Sequence, residues 1–326
     1  MKITREWALI AGLVAGVAAR TANLLAAAPN ATDVQAQMVI TVQSVHEGRD
    51  VPESNGAPEI LETGGVTVTE GHTNLPVVGL QRLTGELAHM QLFVFLDDST
   101  RSSSLSVHFP ELRAFLNSLP ATTQVAIGYM RNGTFALAQA FTADHQKAAD
   151  ALRLPVAIPG VNGSPYFALS DLAKHWPSNQ STGRRAVLLL TDGVDRYYDT
   201  EFVEDPYVDT SVQDALKGGV AVYSIYLRGA GYYGRSGWVT NFAQSHLLEV
   251  SQETGGHAYF QDFSDPVSIA PFLKDFHDRL EHQYRLTFEA KDEHGMHSVK
   301  LRTELPGLKI EGPSRMYVPA RMYVPD

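Results

Sequence analysis

Three nearly unbroken apolar runs constrain this chain more than anything else in it: "QLFVFLDD" (91–98), "RAVLLLTDG" (185–193) and "VAVYSIYL" (220–227). A strand with one wet face alternates apolar and polar residues. A run without alternation needs cover on both faces, as in the middle of a parallel sheet. Helical patterns lie between and after these runs: "PELRAFLNSL" (110–119), "SPYFALSDLAKHW" (164–176), "VQDALKGG" (212–219), "SHLLEVSQETGG" (245–256) and "PVSIAPFLKDFHDRLEHQ" (266–283). Ser164 stands at a helix cap with Pro165 in the first turn, Asp144 heads "DHQKAADAL", and Gly218–Gly219 end a helix. "QVAIGYMRNGTFALAQAF" (124–141) reads as two strands joined by Asn132–Gly133, a strong short hairpin signal.

Strands separated by helices predict an α/β fold over 89–282: a doubly wound, mostly parallel sheet with helices on both faces. Small β-rich segments flank it. Residues 32–88 carry alternating stretches such as "MVITVQSV" and "VTVTEG" and read as a small N-terminal domain. Residues 283–326 read as a β-hairpin tail that ends in a tandem copy, "RMYVPA" then "RMYVPD".

Several function classes fall away on composition. The chain has no cysteine, so thiol nucleophiles, thiolate zinc sites and disulfides are excluded. Its formal charge of −10 over 326 residues, with no basic cluster, argues against nucleic acid as a partner. Residues 1–31 read as an export signal. Lys2 and Arg5 precede the uncharged apolar stretch Trp7–Ala19, and Ala28, Ala31 and Ala36 offer small-residue cleavage sites. The expected location is secreted or periplasmic, with membrane contact only through this segment if it stays uncleaved as an anchor.

In doubly wound sheets the site lies beyond the carboxyl ends of the strands. Two apolar runs end there in "DDSTRSS" (97–103) and "TDG" (191–193), and "NGSP" (162–165) opens a helix on the same edge. Carboxylates and hydroxyls without His or Cys are hard oxygen ligands, suited to Mg²⁺, Mn²⁺ or Ca²⁺.

On these residues the stretch 88–282 resembles the von Willebrand factor type A domain and its metal-ion-dependent adhesion site. That family carries Asp-x-Ser-x-Ser after its first strand, a Thr in a later loop and an Asp in a "TDG"-like turn. Asp192 matches the last, and Ser164 stands where the Thr would be. The first motif has two registers. With Asp97 first, Ser99 matches and Arg101 replaces the second Ser; with Asp98 first, Thr100 and Ser102 match and Asp97 falls where an apolar residue is usual. The second register is slightly preferred. Arg101 brings a permanent charge that could stand in part for a metal.

The resemblance implies a metal set drawn from Asp97, Asp98, Ser99, Thr100, Ser102, Ser164 and Asp192, holding Mg²⁺ or Mn²⁺. It implies a binding or adhesion module, not an enzyme, in which a partner protein's Asp or Glu completes the metal's coordination. The flanks are similar to those of an exported bacterial subgroup of the family. A metal-free structural or assembly role of the same fold is the alternative. A metal-dependent hydrolase using Asp98 and Asp192 is a third reading that lacks an obvious general base. "GAGYYG" (229–234) matches a dinucleotide fingerprint in letters only: the sequence shows no helix opening after it and no acidic residue placed for a ribose. It is expected to be a loop at the sheet edge.

Overall fold

The computed structural model describes residues 33–44, 62–156, 158, 163–180, 183–197 and 205–319. The 1–31 segment and the second "RMYVPD" copy lie outside them. Four strands come first: β1 (Asp33–Ser44), β2 (Thr67–Glu70), β3 (Thr73–Leu75) and β4 (Val77–Arg82). The α/β body follows with β5 (Met90–Asp97), α1 (Ser102–Ser106), α2 (Phe109–Ser118), β6 (Thr123–Arg131), β7 (Thr134–Thr142), α3 (His145–Asp150) and α4 (Pro165–Lys174). It continues through β8 (Arg184–Thr191), α5 (Pro206–Gly218), β9 (Val220–Tyr226), α6 (Gly237–Glu253), β10 (Ala258–Tyr259) and α7 (Ala270–Glu281). Five strands end the description: β11 (Gln283–Lys291), β12 (Gly295–Ser298), β13 (Lys300–Arg302), β14 (Leu308–Glu311) and β15 (Arg315–Val318).

The body is the expected doubly wound sheet. Its order is β10-β9-β8-β5-β6-β7, and every neighbouring pair is parallel except β6 with β7. Strand β5 is buried along its whole length. Side chains alternate along it, so Leu92, Val94 and Leu96 face one layer with Leu112, Phe115 and Phe276. Phe93 and Phe95 face the other, with Tyr166, Leu169 and Leu247. Burial of these five β5 side chains contributes about 10 kcal/mol before the entropy of ordering the chain is set against it. From β5 the chain runs outward to β7 and then crosses back to β8 on the other side of β5. The switch point therefore lies between the carboxyl ends of β5 and β8.

Local signals hold where the chemistry is local. Asn132 and Gly133 both take positive φ (51° and 71°), as the tight hairpin turn requires. Asp144 accepts a hydrogen bond from Lys147 N and Ser164 one from Phe167 N, each capping its helix. Helix α6 starts earlier than its sequence pattern suggests, at Gly237, because Ser236 accepts from Val239 N and caps it there. The "GAGYYG" turn just before it is close-packed: a Cβ on Gly234 would lie 1.8 Å from the Gly229 carbonyl oxygen. Gly229 and Gly234 permit this close approach of the chain to itself.

The flanks join, which the sequence conceals. β11 does not fold back on β12 as a hairpin. It pairs with β1 on one side, from Asp33↔Lys291 to Thr41↔Gln283, and with β4 on the other. Both edges of β11 are thus occupied, and β12 pairs with β15 while β13 pairs with β2. The N- and C-terminal strands build one β module around Ile40, Val42, Val68, Leu286 and Phe288. Pairing across 242 to 258 positions leaves no periodic trace in either strand.

Ion pairs tie this module to the body. Arg279 on α7 bridges Asp275 (2.5 Å) and Glu311 (2.6 Å), and Arg315 on β15 reaches Asp209 and Glu253, both at 2.8 Å. His257 lies beside this junction. Burial, and then the nearby Arg279 charge, push its pKa down from 6.5 to about 4. The folded protein keeps this imidazole neutral where the unfolded chain protonates it. Its contribution to stability is complete above pH 6.5 and is lost as pH falls toward about 4. Urea unfolding at pH 7 and pH 4.5 should show His257→Gln losing less stability between the two than wild type does. Equal losses would remove His257 as the cause.

Candidate functional site

Alternation along β5 decides which of the two acids reaches the site. Asp97 falls on the face of Phe93 and Phe95, toward α4 and α6. Asp98 falls on the opposite face, the side of α2 and α3. Its backbone N still donates to Met130 O at 3.2 Å, so the strand pattern persists to this residue. The Asp98 carboxylate is fully buried and engaged there: Arg153 Nη1 donates at 2.8 Å, Arg153 Nη2 at 3.3 Å and Val156 N at 2.9 Å. The Arg153 guanidinium also lies 3.7 Å from the Tyr129 ring centroid. The register preferred from sequence, with Asp98 first, is therefore not the one that meets Ser164 and Asp192.

Asp97 is the acid at the switch point. Its Oδ1 accepts from Ser99 N (2.9 Å) and Ser99 Oγ (2.7 Å), and its Oδ2 accepts from Thr191 Oγ1 (2.7 Å) across from β8. Thr100 turns back, its hydroxyl donating to the Asp97 carbonyl at 2.8 Å. The Ser102 backbone opens α1, and its side chain lies outside the description. Ser164 donates to Asp195 Oδ2 at 2.6 Å while capping α4. The structure thus brings Asp97, Ser99, Ser164 and Asp192 to one rim and sends Asp98 and Thr100 elsewhere.

A guanidinium occupies this rim, and it belongs to Arg196, not Arg101. Among the described residues Arg101 has no hydrogen bond or ion pair to the cluster. Arg196 grips both oxygens of Asp192, Nη2 on Oδ2 and Nη1 on Oδ1 at 3.3 Å, with its side chain only 3 % exposed. Nη1 also donates to Val194 O at 3.2 Å, and the guanidinium sits 4.8 Å from the Tyr233 ring centroid. Its backbone N donates to Gly163 O at 2.9 Å, tying the 162–165 loop to the turn after β8. A Cβ on Gly163 would come within 3.2 Å of Ser99 Oγ and 3.6 Å of Arg196 Nη1. Burial and the neighbouring Asp192 raise the pKa of Asp97, against the pull of Arg196 and the two hydroxyl donors. Burial opposes the charge on Arg196, and Asp192 and Asp97 more than offset it, so its pKa is raised.

By ligand type this rim suits a hard cation. As arranged, its residues do not fit a divalent one. Both Asp192 oxygens are held by Arg196, both Asp97 oxygens by internal donors, and the Ser164 proton is committed to Asp195. The cavity bordered by Asp97, Ser99, Gly163 and Ser164 is about 10 Å³, room for about one water. A divalent ion set about 4 Å from a guanidinium would be repelled by about 8 kcal/mol at an effective dielectric constant near 20.

Sequence reasoning missed Thr191, Asp195, Arg196 and Arg153. A signal existed for one pair: Asp192 and Arg196 stand four apart with opposite charge in "TDGVDR". The Asp98–Arg153 pair, 55 positions apart, has no such signal.

The strand order decides the fold: an antiparallel edge strand, a central first strand and a site at the switch point. The body of this chain has a von Willebrand factor type A-like fold. No protein-family model and no curated protein sequence matches the chain. Among solved structures it is similar to an aerotolerance-related membrane protein from Bacteroides fragilis, at 12% identity and a TM-score of 0.42, covering 59% of this chain and 98% of that one. BatB from Bacteroides thetaiotaomicron is similar at 12% identity and TM-score 0.41, over 58% and 96% of the two chains. The SpRpn10 VWA domain is similar at 13% identity and TM-score 0.37, over 54% and 93%. These are likenesses of fold.

Arg153→Ala should leave Asp98 as a fully buried carboxylate without its charged partner. We expect a loss of about 3 kcal/mol in urea-unfolding stability. A loss below about 0.5 kcal/mol, the size of a surface pair, would contradict this account of the second acid.

Proposed function

We propose that this chain is a protein-binding module that presents the carboxyl edge of its central sheet to a partner. Exposed apolar side chains on the loops and helix starts of that edge support the reading. Tyr232 and Trp238 are each 63 % exposed, Val107 64 % and Val267 91 %, on segments that leave β9, α1 and β10. Solvent-facing Tyr and Trp are the residues that most often anchor protein interfaces. Beneath them the loops are pinned: Ser104 donates to Asp265 at 2.9 Å and Arg228 N to Asp265 at 2.6 Å, so little ordering remains to be done on binding.

The module is read as a binder and not a catalyst, and as working without a bound divalent ion. Every acid in the rim spends its oxygens on internal donors, which holds the loops in shape. We place its work outside the cytoplasm, with residues 1–31 as the export signal. Among the described residues no helix is long and apolar enough to cross a membrane.

Cross-linking capture from the native host, with EDTA throughout, tests the reading. Wild type should retain a partner that the double variant Tyr232→Ser, Trp238→Ser holds about 30-fold more weakly, with its circular dichroism unchanged. Equal recovery by both proteins would move the interface off this edge.

A further inference from the structure

We propose that Arg196 is the resident cation of the carboxyl edge, and that the wild-type protein holds no divalent ion there. The resemblance leads to a metal at this rim, and the disagreement is carried by four contacts of one side chain and one of its backbone. Arg196 chelates Asp192 with two nitrogens, donates to the Val194 carbonyl, stacks on Tyr233 and is almost wholly buried. Its own backbone is anchored to Gly163, beside the helix that Ser164 caps. A solvent-exposed arginine that happened to lie near an acid would have none of the last three features.

The charge balance gives the cation its purpose. Asp97 ends β5 and Asp192 follows the adjacent β8 at the switch point, and both are buried close enough for the Asp192 charge to act on Asp97. Two such carboxylates need a positive charge between or beside them. A divalent ion supplies that charge and also crosslinks the three loops. Arg196 supplies one unit of it and joins the 191–196 turn to the Gly163 loop, while Thr191 Oγ1, donating to Asp97, joins that turn to the first loop. The two solutions compete, because a divalent ion on the Asp192 oxygens would lie beside the guanidinium and be repelled by it. The second hydroxyl of the metal motif is also missing in the register that reaches the rim, where Arg101 stands. A coordination sphere there would lack one of its ligands as well as its acid.

This assignment is independent of what binds the edge. It makes one statement about the empty-handed protein: remove the guanidinium and an acid pair is left that seeks a metal. Isothermal titration and thermal melting with Mn²⁺ as the probe test it, on wild type, Arg196→Ala and Arg196→Gln, the second variant keeping bulk and hydrogen bonding without charge. Wild type should give no saturable heat and the same Tm in EDTA and in Mn²⁺. In EDTA Arg196→Ala should melt about 10 °C lower. Mn²⁺ should bind it one to one, at least about tenfold more tightly than wild type, and recover most of that loss. Arg196→Gln should behave likewise with a smaller drop. Variants that fold only when Mn²⁺ is present would also support the assignment. Saturable binding by wild type within tenfold of Arg196→Ala would overturn it. So would variants that bind no Mn²⁺, or that fold in neither buffer.

Discussion

A strand covered on both faces has to end by handing its first polar side chains to partners on both sides, and β5 ends on two carboxylates. Both are buried: Asp97 is 3 % exposed and Asp98 not at all. Burying an unpaired carboxylate would cost more than any single apolar contact in this core contributes. Each acid is therefore matched from its own side, Asp98 by Arg153 and Asp97 by hydroxyls with Arg196 close by. The loops at the carboxyl edge take their positions from these two settlements, and the adhesion-like rim is one of them.

The two settlements differ in character. Arg153 keeps over a third of its side chain in solvent, so its charge is partly hydrated while it serves Asp98. Arg196 is sealed, and one of its guanidinium nitrogens, Nε, has no hydrogen-bond partner. A buried donor left unmatched is a standing cost, and it is tolerated where a second demand outweighs it. Here the demand is electrostatic: two acids at a switch point with one cation to share.

How much of this was legible in the sequence follows from how local each interaction is. The buried strands, the Asn132–Gly133 turn and the Ser164 cap are written in neighbouring residues and read correctly. So was the meeting of three loops at one edge, because a doubly wound sheet dictates it. Which acid faced the rim was also legible, since the alternation of Phe93, Phe95 and Asp97 continues without a break; motif matching favoured Asp98 and overrode it. The Arg196 ligature was half legible, from its spacing to Asp192. Arg153, the β1–β11 pairing and the early start of α6 depend on tertiary partners or on a single cap, and a pattern read along the chain does not contain them.

The β1–β11 ladder has a consequence for how the chain is made. Its two strands are separated by the entire α/β body, so β1 emerges from the ribosome long before the strand that completes it exists. During synthesis the stripe of Met38, Ile40 and Val42 stays uncovered while the body behind it condenses around its own local contacts. The β module closes last, as a clasp whose two halves arrive at opposite ends of translation. Any chain cut short before Gln283 is left with a bare, adhesive strand edge.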